Sequence, residues 1–276
     1  MREYRTIAQI KKQTKEQLLG NYSVLTGSFV VLFVIIYALT LIISGAVTGT
    51  MVGGTMMTAD VKPTLSFFVM YFVVMMLIGL FTMIFTVGYM YQCMKVARGQ
   101  STTLGDMFYV FKHHPDKVLI IGFVQLLISY ILVLPQQIML YYPDAWGDTD
   151  NDIWIWLAIY IAEFAIIMII SLSLGMSFLV YFDNPDYSAI ACMKESVRLM
   201  KGNKLRLFGL GLSLIGMYLL GILSLGVGLM WLMPYMSTAT VNFYRDLIGE
   251  DDNTSNTVGS NFETYVDDST GVIDED

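Results

Sequence analysis

The sequence predicts an all-α, polytopic membrane protein with six transmembrane helices in three hairpins, each preceded by a cytoplasmic amphipathic interfacial helix. Three observations predict this fold class. Charged residues make up only 14% of the 276 residues, against about 25% in ordinary globular chains. Long stretches of the chain are apolar and almost free of charge. The lysines and arginines are concentrated between those stretches, in every second connection.

The lengths of the apolar stretches predict the number of spans. A helix needs about 20 apolar residues to cross roughly 30 Å of hydrocarbon, and five intervals of the sequence satisfy this requirement. The last interval, Leu207 to Tyr244, is too long for one crossing and must fold back, for which Gly226 and Gly228 supply a flexible turn. The predicted spans are residues 22–45, 65–92, 118–140, 153–182, 207–223 and 228–244.

The positions of the basic residues predict the orientation of the spans. With six spans, every one of the 16 lysines and arginines except Lys62 lies on the same side as the N-terminus. Because lysine and arginine in short loops stay in the cytoplasm, we expect a multi-pass plasma-membrane protein with both termini cytoplasmic. With five spans, Arg245 and the C-terminus would instead lie outside.

The C-terminal residues, 249–276, are predicted to form an acidic, disordered cytoplasmic tail that follows the transmembrane domain of residues 1–248. This tail holds nine acidic residues and no basic ones. Its few apolar residues cannot bury enough surface to offset the entropy of ordering. Two interpretations stay open: a solvated tail, or a docking segment for a basic partner.

Three segments on the predicted cytoplasmic side have the spacing of amphipathic helices, and together they suggest a threefold internal repeat. In the third, Tyr187, Ile190, Met193, Val197 and Met200 recur every three or four residues, with the basic residues expected opposite. Such helices lie in the headgroup plane of an anionic leaflet. Alternatively, they pack beneath the bundle and guide insertion. The candidate contacts to anionic inner-leaflet headgroups are Lys11, Lys15, Lys194, Arg198, Lys201, Lys204 and Arg206.

One acidic residue, Glu163, lies well inside a predicted span, where no lysine or arginine can pair with it. A carboxyl in hydrocarbon is costly unless it is protonated, hydrogen-bonded or open to water. Gln125 and Tyr130 of the third span are candidate partners, and Tyr130 is expected at a similar depth. These three residues form the candidate intramembrane polar site. It is either an interhelical hydrogen bond or part of a proton or cation pathway.

The segment Asp183-Asn184-Pro185 has the pattern of a helix start. A side-chain acceptor precedes a proline, whose missing N–H costs nothing at the first helical position. This pattern predicts that the third amphipathic helix begins at Pro185.

No motif in the sequence carries catalytic chemistry. Phosphate-binding loops, zinc-protease helices and nucleophile elbows do not occur in it. His113 and His114 have no histidine or cysteine three or four positions away to complete a metal site. We therefore expect no enzymatic activity and no catalytic residue. We also expect no metal, no cofactor and no nucleic-acid partner.

Several motifs in the C-terminal half occur together in a known family. They are Asp183-Asn184-Pro185, Met193-Lys194-Glu195-Ser196, Leu199-Met200-Lys201-Gly202-Asn203-Lys204, Leu212-Ser213-Leu214-Ile215-Gly216, Leu225-Gly226-Val227-Gly228, Pro234-Tyr235 and Phe243-Tyr244. With these motifs the chain resembles the bacterial membrane family called domain of unknown function 975, which is related to the membrane domain of some glycerophosphodiesterases. The match is most specific over Tyr181 to Leu247, and Lys15 to Asn21 also fits. The resemblance implies a polytopic plasma-membrane protein and brings no assigned reaction.

Taken together, these features predict a non-enzymatic integral membrane protein. It would scaffold or modulate envelope partners, such as another membrane protein, or lipids through its basic cytoplasmic face. The alternative is a small transporter or channel with Glu163 in the pathway. A polar cavity that reaches Glu163 would favour transport, whereas burial of Glu163 among packed helices would favour the scaffold.

Overall fold

The computed structural model describes residues 4–55, 65–141 and 152–250. Within these ranges every regular element is a helix and no strand occurs, as predicted. The helices are α1 (Ile7–Leu18), α2 (Tyr22–Thr55), α3 (Leu65–Ala97), a 3₁₀ helix (Leu104–Phe108), α4 (Tyr109–Lys112), α5 (Pro115–Tyr141), α6 (Asp152–Leu174), α7 (Ser177–Asp183), α8 (Ala189–Met200), α9 (Lys204–Leu212), α10 (Ile215–Leu223) and α11 (Leu229–Ile248). The predicted tail lies outside the described residues, apart from Gly249 and Glu250.

Five helical segments in the described residues are long and apolar enough to cross a membrane. They are Tyr22–Ile42, Phe72–Ala97, Pro115–Gln137, Trp154–Asp183 and Lys204–Leu223. Helix α11 is not among them, and its C-terminal half carries Asn242, Arg245 and Asp246. Multiple apolar helices are therefore present, and the sixth span stays a prediction.

Two of these segments are interrupted. Helix α6 ends at Leu174 and α7 begins at Ser177, with Gly175 at the break. A Cβ atom at Gly175 would lie 2.9 Å from the carbonyl oxygen of Ser171, so the backbone is close-packed there. Similarly, Ser213 and Leu214 separate α9 from α10. Neither interruption was predicted from the apolar patterns of these segments.

The buried core lies toward one end of the bundle. At this end, here called the network end, α3, α7 and α11 finish and α5 and α9 begin. Among its largest fully buried side chains are Leu18, Met94, Leu179 and Tyr244. Away from this end, the helices expose large apolar side chains. Examples that are more than half exposed are Leu41, Leu77, Ile161 and Leu220. Such a surface is stable in hydrocarbon and not in water.

Helix α8 packs its small side chains against the bundle. Its buried residues are Ala189, Cys192, Ser196 and Met200. Small residues let helix backbones approach closely, and Ser196 Oγ donates a hydrogen bond to the Ser173 carbonyl at 2.8 Å. Ile190 and Val197 are consequently exposed. The predicted arrangement of one apolar stripe opposite the lysines is therefore wrong for this helix.

The predicted helix start at Pro185 is also wrong. Helix α8 begins four residues later, at Ala189, and its cap is Ser188, whose Oγ accepts a hydrogen bond from the Ala191 N–H at 3.2 Å. Asp183 is instead the last residue of α7. Its carboxylate is not available as a cap because it accepts hydrogen bonds from other helices, as described below.

Helix α3 and the 3₁₀ helix are in backbone contact at Gly88, which generates a prediction. A Cβ atom at Gly88 would overlap the carbonyl oxygen of Met107. Gly88→Ala is expected to destabilise the protein by about 1–3 kcal/mol, because the two backbones must separate. Thermal unfolding in detergent micelles measures the change.

The matched control is Gly27→Ala, because nothing lies within 4 Å of a Cβ atom at Gly27. That substitution should leave stability unchanged or raise it by up to about 1 kcal/mol, since alanine is the better helix former. Equal unfolding midpoints for the two variants would contradict the close contact.

Candidate functional site

Arg98, which directly follows α3, joins three chain segments at the network end. Its Nη2 donates to Asp183 Oδ1 at 2.7 Å and to Glu250 Oε2 at 2.9 Å, and its Nε donates to Glu250 Oε1 at 2.8 Å. The Tyr244 hydroxyl of α11 donates to Asp183 Oδ2 at 2.9 Å. One guanidinium thus connects the end of α3 to the end of α7 and to the residue after α11's cap.

Side-chain amides attach helix α1 to the same end. Gln17 Nε2 donates to the Ala97 carbonyl at 2.8 Å, and Arg245 Nη1 donates to the same oxygen. Asn242 Nδ2 donates to Thr14 Oγ1 at 2.9 Å and to Gln17 Oε1 at 2.7 Å. The last carbonyl of α3 is thereby satisfied by two different helices, which a helix end requires when it is buried.

Arg206, near the start of α9, makes a second set of charged contacts. Its Nη2 donates to Asp246 Oδ2 at 2.7 Å and to the Arg5 carbonyl at 2.8 Å. Its guanidinium carbon lies 4.6 Å from the Tyr4 ring centroid and 5.0 Å from that of Phe243. A guanidinium is suited to this role because it can pair with a carboxylate and stack on aromatic faces at once.

The charges in the first set reinforce one another. Burial alone would lower the pKa of Arg98, but the hydrogen bonds and charges of Glu250 and Asp183 raise it above its ordinary value. Burial alone would raise the pKa of Glu250, but Arg98 and Arg245 lower it below its ordinary value. Arg98 and Glu250 therefore stay ionised at neutral pH.

Sequence reasoning did not identify this network. Arg98 and Arg245 were used only to predict which side of the membrane their segments face. Asp183 was expected to cap a helix. One signal was present: Asn242, Arg245 and Asp246 are three and four residues apart, which places their side chains on one face of α11. Polar residues grouped at the end of an apolar helix indicate a polar contact surface.

The candidate intramembrane site is not joined by hydrogen bonds. Glu163 is buried, with 9% of its surface exposed, and its Oε2 has no hydrogen-bond partner. Gln125 donates instead to the Leu174 carbonyl at 3.3 Å. The Tyr130 ring packs edge-on against Phe72, with centroids 5.2 Å apart. The carboxyl oxygen of Glu163 is therefore buried without a donor from either predicted partner.

Two cavities flank the interruption in the fourth apolar segment. One, of about 390 Å³, lies between the α6–α7 break, the α9–α10 break and α11, and most of its lining side chains are apolar. The other, of about 160 Å³, lies between α5 and α6 and includes Gln125, Ser129 and Ser171 in its lining. Glu163 lines neither of them.

The seven predicted headgroup contacts are in different environments. Arg206 is held by Asp246, and Arg198 pairs with Glu195 at 2.6 Å while its own side chain is 76% exposed. Lys11 donates to the Ser213 carbonyl at 3.2 Å. The remaining four have exposed or partly exposed side chains: Lys15, Lys194, Lys201 and Lys204. Arg206 and Lys11 therefore serve the packing of the protein itself.

The histidines and cysteines form no metal-ligand cluster in the part of the chain that the structure describes. Cys93 and Cys192 are both buried. His113 packs on Tyr109, with ring centroids 4.1 Å apart.

Comparisons with known proteins give one match. The model of a family described as "Protein of unknown function (DUF975)" matches residues 5–251. No curated protein and no solved structure matches the chain. The family resemblance predicted from the C-terminal motifs is confirmed.

The lowered pKa of Glu250 predicts a pH-dependent stability. A carboxylate whose pKa is lowered by folding stabilises the fold above its ordinary value of 4.5, and this contribution is lost as the pH falls below it. Glu250→Gln should therefore reduce stability at pH 7 by about 1 kcal/mol. It should also shrink the loss of stability between pH 7 and pH 4.

Thermal unfolding at both pH values measures this effect. The control is Glu16→Gln, because Glu16 is an exposed carboxylate of α1. An acid-induced loss of the same size in the wild type and in the Glu250 variant would contradict the role of the network.

Proposed function

The chain belongs to the family of proteins of unknown function called DUF975, and from this premise we propose a function based on the geometry of the network end. The protein is a non-enzymatic integral protein of the plasma membrane with six spans and cytoplasmic termini. It scaffolds or modulates envelope partners or anionic lipids through the basic face that this end presents to the cytoplasm.

The observation that carries the proposal is the meeting of several basic segments of the described residues at one end of the bundle. Hydrogen bonds join α1 to the end of α3, the end of α3 to α7, and the start of α9 to α11. A chain that returns to the same end after α9 and α10 has crossed and come back, which supports an even number of spans. Basic residues at that end agree with a cytoplasmic location.

The network makes the basic end rigid and leaves a set of lysines outside it. Charges paired in partly buried contacts fix the helix ends relative to one another. Lys15, Lys194 and Lys201 lie on the outside with exposed side chains. A rigid surface that carries exposed cations suits the recognition of anionic headgroups or of an acidic partner.

Neutralising the exposed lysines tests the proposal. The variant with Lys194→Gln and Lys201→Gln should lose preference for anionic lipid. At about 1 kcal/mol for each lysine near an anionic surface, the loss is roughly fivefold per contributing charge. Electron paramagnetic resonance with spin-labelled phosphatidylglycerol and phosphatidylcholine measures the preference in reconstituted vesicles.

The matched control is Lys62→Gln, because Lys62 is predicted on the opposite side of the membrane. An unchanged phosphatidylglycerol preference in the double variant would contradict lipid recognition by the basic face. A decrease of equal size in the control would contradict the assigned side.

Transport is the second candidate function, and Glu163 is the observation that favours it. A buried carboxyl with no hydrogen-bond partner inside an apolar helix is the usual mark of an ion or proton pathway. However, Glu163 lines neither of the two cavities that flank the α6–α7 break. The geometry therefore favours the scaffold.

Substitutions at Glu163 separate the two functions. For the scaffold, Glu163→Leu should raise stability by about 1–3 kcal/mol, because it removes a buried polar group that lacks a partner. Thermal unfolding in lipid nanodiscs measures the change, and Tyr160→Leu, at an exposed position of α6, is the control. Unchanged or lower stability, together with proton or cation flux that Glu163→Gln abolishes, would favour transport.

A further inference from the structure

Two segments at the network end expose large apolar side chains, whereas Ala8 is the exposed apolar residue within α1. Tyr4 and Leu19, on either side of α1, are 39% and 72% exposed. In the 3₁₀ helix and α4, Leu104, Phe108 and Phe111 are each 44–54% exposed. In α8 and just before it, Tyr187, Ile190 and Val197 are each 43–58% exposed. The exposed residues of α1 are Ala8, Gln9, Lys12, Lys15 and Glu16. The three predicted amphipathic helices thus present different surfaces.

The apolar side chains of α8 share one stripe with lysines. Ile190, Lys194 and Val197 are spaced four and three residues apart, so they lie on one face of α8, and Tyr187 and Lys201 lie just outside the helix at its two ends. The face that packs on α6 and α7 is a different one, built from Ala189, Cys192, Ser196 and Met200. Alternating apolar and cationic groups on one unpartnered face are typical of a helix at a membrane interface. Lysine can extend its charge toward the headgroups from such a position.

Both segments lie beside candidate membrane-spanning segments, some distance from the last residues of those segments, Ala97 and Asp183. Met107 contacts Gly88, which is nine residues before the end of α3, or about 14 Å along the helix. Ser196 contacts Ser173 near the end of α6, and the seven residues of α7, about 10 Å of helix, continue from there toward the network end. The outward faces of the two segments are therefore level with the last third of the candidate spans.

The aromatic surface continues from a candidate span into the first segment. Phe85 of α3 packs edge-on against Phe108 at 5.9 Å and against Phe111 at 5.4 Å. Phe81, one turn before Phe85 in α3, packs on it with ring centroids 5.2 Å apart and is itself 44% exposed. Phe81, Phe108 and Phe111 therefore pack around the buried Phe85 and are each partly exposed.

From these observations we infer that residues 104–112 and 187–201 insert their exposed apolar side chains into the headgroup and upper acyl region of an anionic leaflet, while α1 faces the aqueous side. This inference rests on the proposed function and specifies which parts of the basic end contact lipid. The lysines of the α8 stripe reach phosphates from within the interface. Helix α1 is bound to the protein through Thr14 and Gln17.

Fluorescence quenching in the full-length protein tests the inference. The two native cysteines are replaced by alanine, and an environment-sensitive fluorophore is attached at Phe108→Cys, Val197→Cys or Lys12→Cys. All three positions are exposed, so the label does not enter the core. The vesicles contain phosphatidylglycerol, phosphatidylcholine and a lipid with a spin label near its headgroup. Labels at positions 108 and 197 should be quenched at least threefold more than the label at position 12.

The inference is overturned if the labels at positions 108 and 197 are quenched no more strongly than the label at position 12. If only one of the two is quenched weakly, the inference is overturned for the segment that carries it. Phosphatidylglycerol preference measured on the same vesicles separates the two proposals. Retained preference without quenching overturns only the insertion of these segments. Quenching without preference overturns lipid recognition in the proposed function and leaves the insertion in place.

Discussion

Hydrocarbon must solvate the long helices of this protein, because their own packing covers only part of their apolar surface. The core is concentrated at the network end, and elsewhere side chains such as Leu77 and Leu220 are more than half exposed. Burying apolar surface contributes about 25 cal/mol per Å², and here much of that surface has no protein partner. Such a surface is compatible with a multi-pass membrane protein, in which acyl chains would cover it.

This constraint explains why the charges are gathered and paired. A charge beside hydrocarbon is costly unless a counter-charge and hydrogen bonds accompany it. Arg98, Asp183 and Glu250 satisfy one another at the helix ends, and Arg206 pairs with Asp246. Because these contacts join helices that are far apart in sequence, the same pairs that make the charges tolerable also fix the helix ends relative to one another. A rigid basic surface follows from the need to neutralise buried charge.

The sequence predicted the helical class, the presence of several long apolar helices and the family. The apolar helices could be predicted because their hydropathy and length follow from the solvent. The sequence did not predict which face of α8 is buried. Hydrophobicity favoured Ile190 and Val197, whereas close approach of backbones favours Ala189, Cys192 and Ser196. It also did not predict the role of Asp183, since a local helix-start pattern gives no information about Arg98, which is distant in the chain. Likewise, Tyr130 was expected near Glu163 by depth alone, and depth does not determine which way a side chain points.

The requirement for hydrocarbon is tested most directly by removing it. The purified full-length chain, kept at constant concentration and pH, is measured by analytical ultracentrifugation after detergent removal, with and without lipid nanodiscs. If the protein requires hydrocarbon, we expect a single defined species in nanodiscs and large, polydisperse aggregates in buffer. A folded, monodisperse protein in buffer without lipid or detergent would contradict the requirement for hydrocarbon.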